Sequence, residues 1–217
     1  MLNIFYGRAG SGKSARLFEE LRIRADRGIR GMILLVPETA SHNTERRLCA
    51  TLGDRSSFHC EVLTFTRLTQ RIFANCGGLA AHIPDDGVRI LLMYRAFEQT
   101  RSSLKVYTHL TRSCELLKNL LSLYDECAAG CVDAEKLGDT VPKTEGLLSD
   151  KLRDLSLLFG AYEDAVFRSL SDPRDALSRA RDALAASDFL RGCTLAIDGF
   201  EGFTPVERNL LDTLIAR

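Results

Sequence analysis

Eight consecutive residues, Gly7-Arg8-Ala9-Gly10-Ser11-Gly12-Lys13-Ser14, satisfy the phosphate-binding pattern G-x-x-x-x-G-K-[ST] at every fixed position. Glycines let successive backbone N–H groups curl around phosphate oxygens, and a helix starting there adds partial positive charge. In such a loop Lys13 would bridge the β- and γ-phosphates of a nucleotide, and the Ser14 hydroxyl would ligate Mg²⁺. A hydrolysing site needs two more groups: a strand-end acid for the metal and a carboxylate that activates water. Asp198 ends the apolar run Thr194-Leu195-Ala196-Ile197 and suits the first task, although an acid there also suits capping a turn. The residue after it is Gly199, which has no side chain for the second task, and the next acid is Glu201.

These residues have to be positioned by strands and helices, and the sequence around them alternates between the two. Residues 2–6 read as a strand running into Gly7, and Leu17, Phe18 and Leu21 mark an amphipathic helix from Ser14 to about Arg27, closed by Gly28. Gly31 opens the continuous apolar run Met32-Ile33-Leu34-Leu35-Val36, stopped by Pro37, which reads as a strand buried on both faces. A helix follows from about His42 to Thr51 and ends at Gly53; Glu61-Val62-Leu63-Thr64 is a third strand. The next helix carries Leu68, Ile72 and Phe73 on one face and stops at Gly77-Gly78. This alternation predicts an α/β fold with a parallel sheet and right-handed crossovers.

From Val88 to about Ser187 the pattern is helical throughout. Leu148, Leu152, Leu155, Phe159, Tyr162 and Val166 trace one apolar seam, and Leu110, Leu117, Leu121 and Tyr124 a second. Asp172-Pro173 is an N-cap and first-turn pair for a helix bearing Leu177, Ala180 and Leu184. Strand character returns at Thr194, and Thr204-Pro205-Val206-Glu207 starts a last helix with a capping box, continuing through Leu210, Leu211 and Leu214. The expected organisation is an α/β core from residues 1–80 and 190–217, split by a helical insertion over 81–189.

Charge narrows the function classes. The 217 residues carry 29 Lys+Arg and 29 Asp+Glu, so a module held on nucleic acid by bulk charge is disfavoured. No apolar run approaches a membrane span, and the N-terminus has neither the charged region nor the cleavage site of a secretory signal. The seven cysteines (Cys49, Cys60, Cys76, Cys114, Cys127, Cys131 and Cys193) form no C-x-x-C pair or zinc spacing. They read as reduced thiols of a cytoplasmic protein, several of them small core residues.

Five segments in order carry a resemblance: the phosphate loop, Leu34-Leu35-Val36-Pro37-Glu38, Val62-Leu63-Thr64-Phe65-Thr66-Arg67-Leu68, Leu148-Ser149-Asp150-Lys151-Leu152-Arg153-Asp154-Leu155, and Ile197-Asp198-Gly199-Phe200-Glu201-Gly202-Phe203-Thr204-Pro205. Together they resemble the N-terminal part of the AddB component of AddAB-type ATP-dependent helicase–nucleases. The resemblance implies a RecA-like superfamily 1 helicase first domain (1A) with the helical middle as its 1B insertion. It implies ATP and Mg²⁺ as ligands, a heterodimeric partner in the motor-bearing AddA component, the helicase–nuclease A subunit, and DNA double-strand break processing for recombinational repair. It also implies a nuclease domain with an iron–sulfur cluster far downstream, so the seven cysteines here are not its ligands.

Carried over residue by residue, Lys13 and Ser14 match the phosphate and magnesium positions, and Asp198 matches the aspartate of the second helicase motif. Active relatives in the superfamily read D-E-x-Q there; this chain has Asp198-Gly199-Phe200-Glu201, so both the catalytic Glu and the coupling Gln are replaced. Thr39 stands where the family usually has Gln after V-P-[DE]. The resulting expectation is a domain that binds nucleotide without driving translocation, with no catalytic residue of its own and weak DNA binding alone. A small-molecule P-loop kinase is the alternative; it needs an arginine-bearing lid, for which Arg174, Arg179 and Arg181 offer only one helix face. A structural adaptor with a vestigial loop is the third reading.

Overall fold

Three parallel strands in the order β2-β1-β3 form the sheet of the computed structural model, which describes residues 3–53, 56–77, 85–109, 113–169 and 176–216. The central strand β1 (Met32–Leu35) pairs with β2 (Cys60–Leu63) in the register Met32 to Cys60 and Leu35 to Leu63. On its other side it pairs with β3 (Thr194–Ile197), Met32 to Thr194 and Leu35 to Ile197. All of β1 is buried, as a continuous apolar run in a parallel sheet implies. The fold is α/β and mostly helical.

The chain divides into two compact units. The first comprises Met1–Gly77, Ala180–Phe203 and Leu211–Arg217 and contains the sheet. Its helices include α1 (Lys13–Asp26), α2 (Ser41–Leu52), the single turn α3 (Ser56–His59) and α4 (Phe65–Cys76). Met32, Leu34 and Val36 share a core with Phe18, Leu21 and Leu48; each such side chain contributes about 1.5–3 kcal/mol on burial. Gly28 (φ 78°) and Gly31 (φ 73°) turn the chain from α1 into β1.

The second unit comprises Gly78–Arg179 and Thr204–Leu210. It is built from α5 (Asp86–Thr100), α6 (Cys114–Ala129), α7 (Ala134–Thr140) and α8 (Gly146–Ser169). Side-chain caps start three of these: Asp85 accepts from the Val88 N–H, Ser113 from Leu116 and Asp133 from Lys136. Leu158, Phe159 and Tyr162 of α8 pack with Met93 and Phe97 of α5 and Leu120 of α6. Buried inside, Arg89 donates to Asp125 at 2.7 Å and to the Tyr162 hydroxyl at 3.2 Å. Two further helices are α9 (Ala176–Ala185) and α10 (Pro205–Ile215). The Thr204–Glu207 capping box forms as its sequence implies: the Thr204 N–H donates to Glu207 Oε2 at 2.8 Å, and the Glu207 N–H to Thr204 Oγ1 at 3.3 Å.

Several expectations need correction. Residues 3–7 are not a strand: Ile4 is 70% and Tyr6 91% exposed, and no strand of the described sheet pairs with them. Alternating apolar residues become a strand only where a neighbour takes up their backbone groups. The seam of α8 starts later than its spacing implies, because Leu148 lies near the helix start and is exposed. Of the cysteines, Cys60 alone is buried; there desolvation pushes its thiol up to about 12, which makes it inert. Leu2, Gly78, Leu110, Asp172, Pro173 and Arg174 lie outside the described residues.

Candidate functional site

Residues Gly7 to Gly12 are exposed and lead directly into α1. Gly10 (φ 77°) and Gly12 (φ 84°) take left-handed backbone, which a side chain would strain, and Gly12 is the N-cap of α1. The Lys13 ammonium folds back to donate to the carbonyl oxygens of Gly7 at 3.0 Å and Arg8 at 2.9 Å. Ala9 and Ser11 complete the loop, and the Ser11 N–H donates to the Arg8 carbonyl at 3.2 Å.

The Ser14 hydroxyl donates to Asp198 Oδ1 at 2.9 Å. This bond joins the first turn of α1 to the end of β3 across a sequence separation of 184 residues. The Asp198 N–H continues the ladder by donating to the Leu35 carbonyl at 3.1 Å, which fixes the acid at the C-terminal edge of the sheet. A hydroxyl and a carboxylate at this spacing are a hard-oxygen pair of the kind Mg²⁺ takes from protein, with phosphate and water completing the shell. Among the described residues no group of three or more His, Cys, Asp or Glu is placed to hold a metal ion.

The other strand ends bring residues to the same edge that motif reading passed over. Hydrogen bonds from Thr64 and from the Thr66 side chain and backbone hold the Glu38 carboxylate below the usual range, with Arg67 adding attraction. Thr64 also caps α4 by accepting the Arg67 N–H at 3.3 Å, and Arg67 pairs with Glu45. Phe65, Phe200 and Phe203 form an aromatic triad, with ring centroids 5.6 Å apart for Phe65–Phe200 and 4.9 Å for Phe200–Phe203. The signal that could have found them is topological: in open parallel sheets, ligands bind outside the carboxyl ends of the strands.

Glu38 gives a pH dependence with a defined sign. A folded-state value below the unfolded one means that stability from this carboxylate is complete above about 4.3. It is lost as the pH falls through the lower folded value. Urea melts of wild type and Glu38→Gln should differ at neutral pH and converge on acidification; a gap that widens in acid would contradict this assignment.

Of the remaining residues named from sequence, Gly199 has φ 82° and is exposed, and Glu201 is exposed. Thr39 is exposed in the turn after β1. Arg181 pairs with its neighbour Asp182 on α9. Among the described residues no helix is long and apolar enough to cross a membrane.

The family model described as ADDB, N-terminal, matches residues 4–217. A protein from Thermoanaerobacter sp. (strain X514), named as the B subunit of an ATP-dependent helicase/deoxyribonuclease, is 32% identical over 219 residues, covering 100% of this chain and 19% of the relative. The protein of that name from Desulforamulus reducens is 34% identical over 221 residues, covering 99% of this chain and 19% of the relative. The one from Clostridium acetobutylicum is 29% identical over 218 residues, with 100% and 19% covered. The chain thus spans about a fifth of the length of the curated relatives it matches.

Proposed function

This chain belongs to the ADDB N-terminal family, and from that premise we propose that it is a nucleotide-binding, motor-inactive helicase-like domain. The longer protein would be the AddB component of an ATP-dependent helicase/deoxyribonuclease, working in the cytoplasm with its AddA partner on DNA breaks in recombinational repair. In this reading residues 1–80 and 190–217 form a RecA-like P-loop core, and 81–189 a helical insertion. The observation that carries the reading is the 2.9 Å bond between Ser14 and Asp198.

Gly7 to Ser14 would bind the phosphates of ATP, the loop amides and Lys13 meeting the oxygens. Ser14 and Asp198 would hold Mg²⁺, which supplies charge neutralisation across the β- and γ-phosphates. The bond between these two side chains supports this reading by holding the two oxygens together at the end of β3. The residue directly after Asp198 is Gly199 and not a carboxylate, so bound nucleotide would be held and act as a structural or signalling ligand. With balanced charge, the chain alone supplies little counterion release, and its own DNA binding is weak.

Removing Asp198 tests the metal arm. Wild type should bind ATP more tightly in Mg²⁺ than in EDTA, and Asp198→Ala should lose about tenfold in Mg²⁺ and little in EDTA. Titration with a fluorescent ATP analogue under both conditions reads this. Equal losses in both would place Asp198 outside the metal site.

A further inference from the structure

The phosphate-binding pattern fixes Gly7, Gly12, Lys13 and Ser14 and leaves position 8 open; this chain has an arginine there. Residues 1–18 contain Arg8, Lys13 and Arg16 and no Asp or Glu, although charge balances over the whole chain. The cations of this region differ in what they meet. Arg22 bonds to Glu19 and Asp26, and Arg24 to Glu20. The bond from Arg22 holds the Glu19 carboxylate below its usual range, with Arg16 adding attraction. Arg8 is exposed, and among the described residues its guanidinium makes no hydrogen bond or ion pair. Its backbone is fastened instead: the Arg8 carbonyl accepts the Lys13 ammonium at 2.9 Å and the Ser11 N–H at 3.2 Å. The Arg8 Cα is two bonds from that oxygen, so the ammonium lies well inside the sweep of an extended arginine side chain. A phosphate oxygen taken up by Lys13 is therefore within reach of a second cation.

We propose that Arg8 makes this site select a nucleoside triphosphate over the diphosphate, its guanidinium taking the terminal phosphate together with Lys13. The proposal rests on the nucleotide-binding reading above and deepens it by naming the ligand class. A guanidinium stays charged at every physiological pH, and its planar fork meets two oxygens of one phosphate at once. A diphosphate lacks the terminal group and leaves the Arg8 fork in water, so the arginine favours the triphosphate alone. Lys13, whose ammonium bridges the β- and γ-phosphates, serves both ligands and cannot supply the whole difference. A nucleotide that is held and not turned over carries a signal only if the site tells the two apart on binding.

Calorimetric titration of wild type, Arg8→Ala and Arg8→Lys with Mg·ATP and with Mg·ADP tests this. Wild type should bind Mg·ATP about tenfold or more tightly than Mg·ADP. Arg8→Ala should lose about tenfold for Mg·ATP and stay within about threefold for Mg·ADP. Arg8→Lys, a point charge without the fork, should keep part of the preference. Because Arg8 is exposed, thermal melts of the three proteins should coincide; should Arg8→Ala melt lower, Arg8→Gln is read in its place. A wild type that binds the two nucleotides within about threefold of each other would overturn the inference and leave the proposed function standing. So would a loss in Arg8→Ala shared equally by both nucleotides, which is what a cation acting only through bulk charge would give. A preference left intact in Arg8→Ala would overturn it as well. A folded wild type that binds neither nucleotide would instead overturn the proposed function on which the inference rests.

Discussion

Phosphate release by wild type at saturating Mg·ATP is expected to run about 10²–10⁴-fold below that of a site with a positioned general base. Asp198, bonded to Ser14, would hold the metal in the proposed site, but a metal that neutralises phosphate charge still needs water aimed and deprotonated. At the position where motor enzymes carry Glu, this chain has Gly199. The competing source is Glu201, which is exposed two residues further along. For it to act, the loop would have to bring its carboxylate within hydrogen-bond reach of the attacking water. The Phe200 and Phe203 rings on either side of it pack on each other and on Phe65, which anchors that loop to the start of α4. Comparing wild type with Glu201→Gln decides the point. A wild-type rate of about one per second or above, abolished by Glu201→Gln, would make this a working ATPase.

The second large effect lies away from the nucleotide. Asp154→Ala is expected to destabilise the helical unit by about 3–5 kcal/mol. Asp154 sits on α8 with no exposed surface. Its carboxylate accepts the N–H groups of Lys105 at 2.9 and 3.0 Å, Val106 at 2.7 Å and Tyr107 at 3.1 Å. Truncation leaves those donors facing a void, and hydrogen bonds to a charged acceptor are worth about 1.5–3 kcal/mol each. The loop they fix also seats Leu104 in the core. The melting temperature should fall by on the order of 10 °C. Asp154→Asn keeps one acceptor oxygen and should fall between. Circular dichroism melts of the three proteins read the series; a loss below about 1 kcal/mol for Asp154→Ala would mean that water replaces the carboxylate.

What the sequence discloses follows the range of the forces involved. Helix α1 and the β1 run are local: glycine placement and apolar spacing specify them within a few residues, and they stand where the spacing puts them. Asp198 was legible as an acid at the end of an apolar run, and pairing with β1 carries it to Ser14. Residues 3–7 fail for the opposite reason. Ile4, Phe5 and Tyr6 have strand composition, but a strand is made by its neighbour, and no described strand pairs with theirs. The Glu38–Thr64–Thr66 bracket and the Phe65–Phe200–Phe203 triad were hidden because each joins residues from different strand ends. Only the β2-β1-β3 order brings them together. Asp154 lies within the segment Leu148–Leu155, yet its role depends on a loop 47 to 49 residues earlier in the chain.

Calorimetric titration of wild type and Lys13→Ala with Mg·ATP shows whether this loop holds a nucleotide by its phosphates. Lys13 now donates to the Gly7 and Arg8 carbonyls; with nucleotide bound, phosphate oxygens would take over those donors. Losing that charge-assisted contact should cost about 1.5–3 kcal/mol, roughly a tenfold to hundredfold weaker Kd. Saturable binding by wild type with that loss in Lys13→Ala is the expected result. Equal affinity in the two proteins, or no binding by the folded wild type, would contradict it.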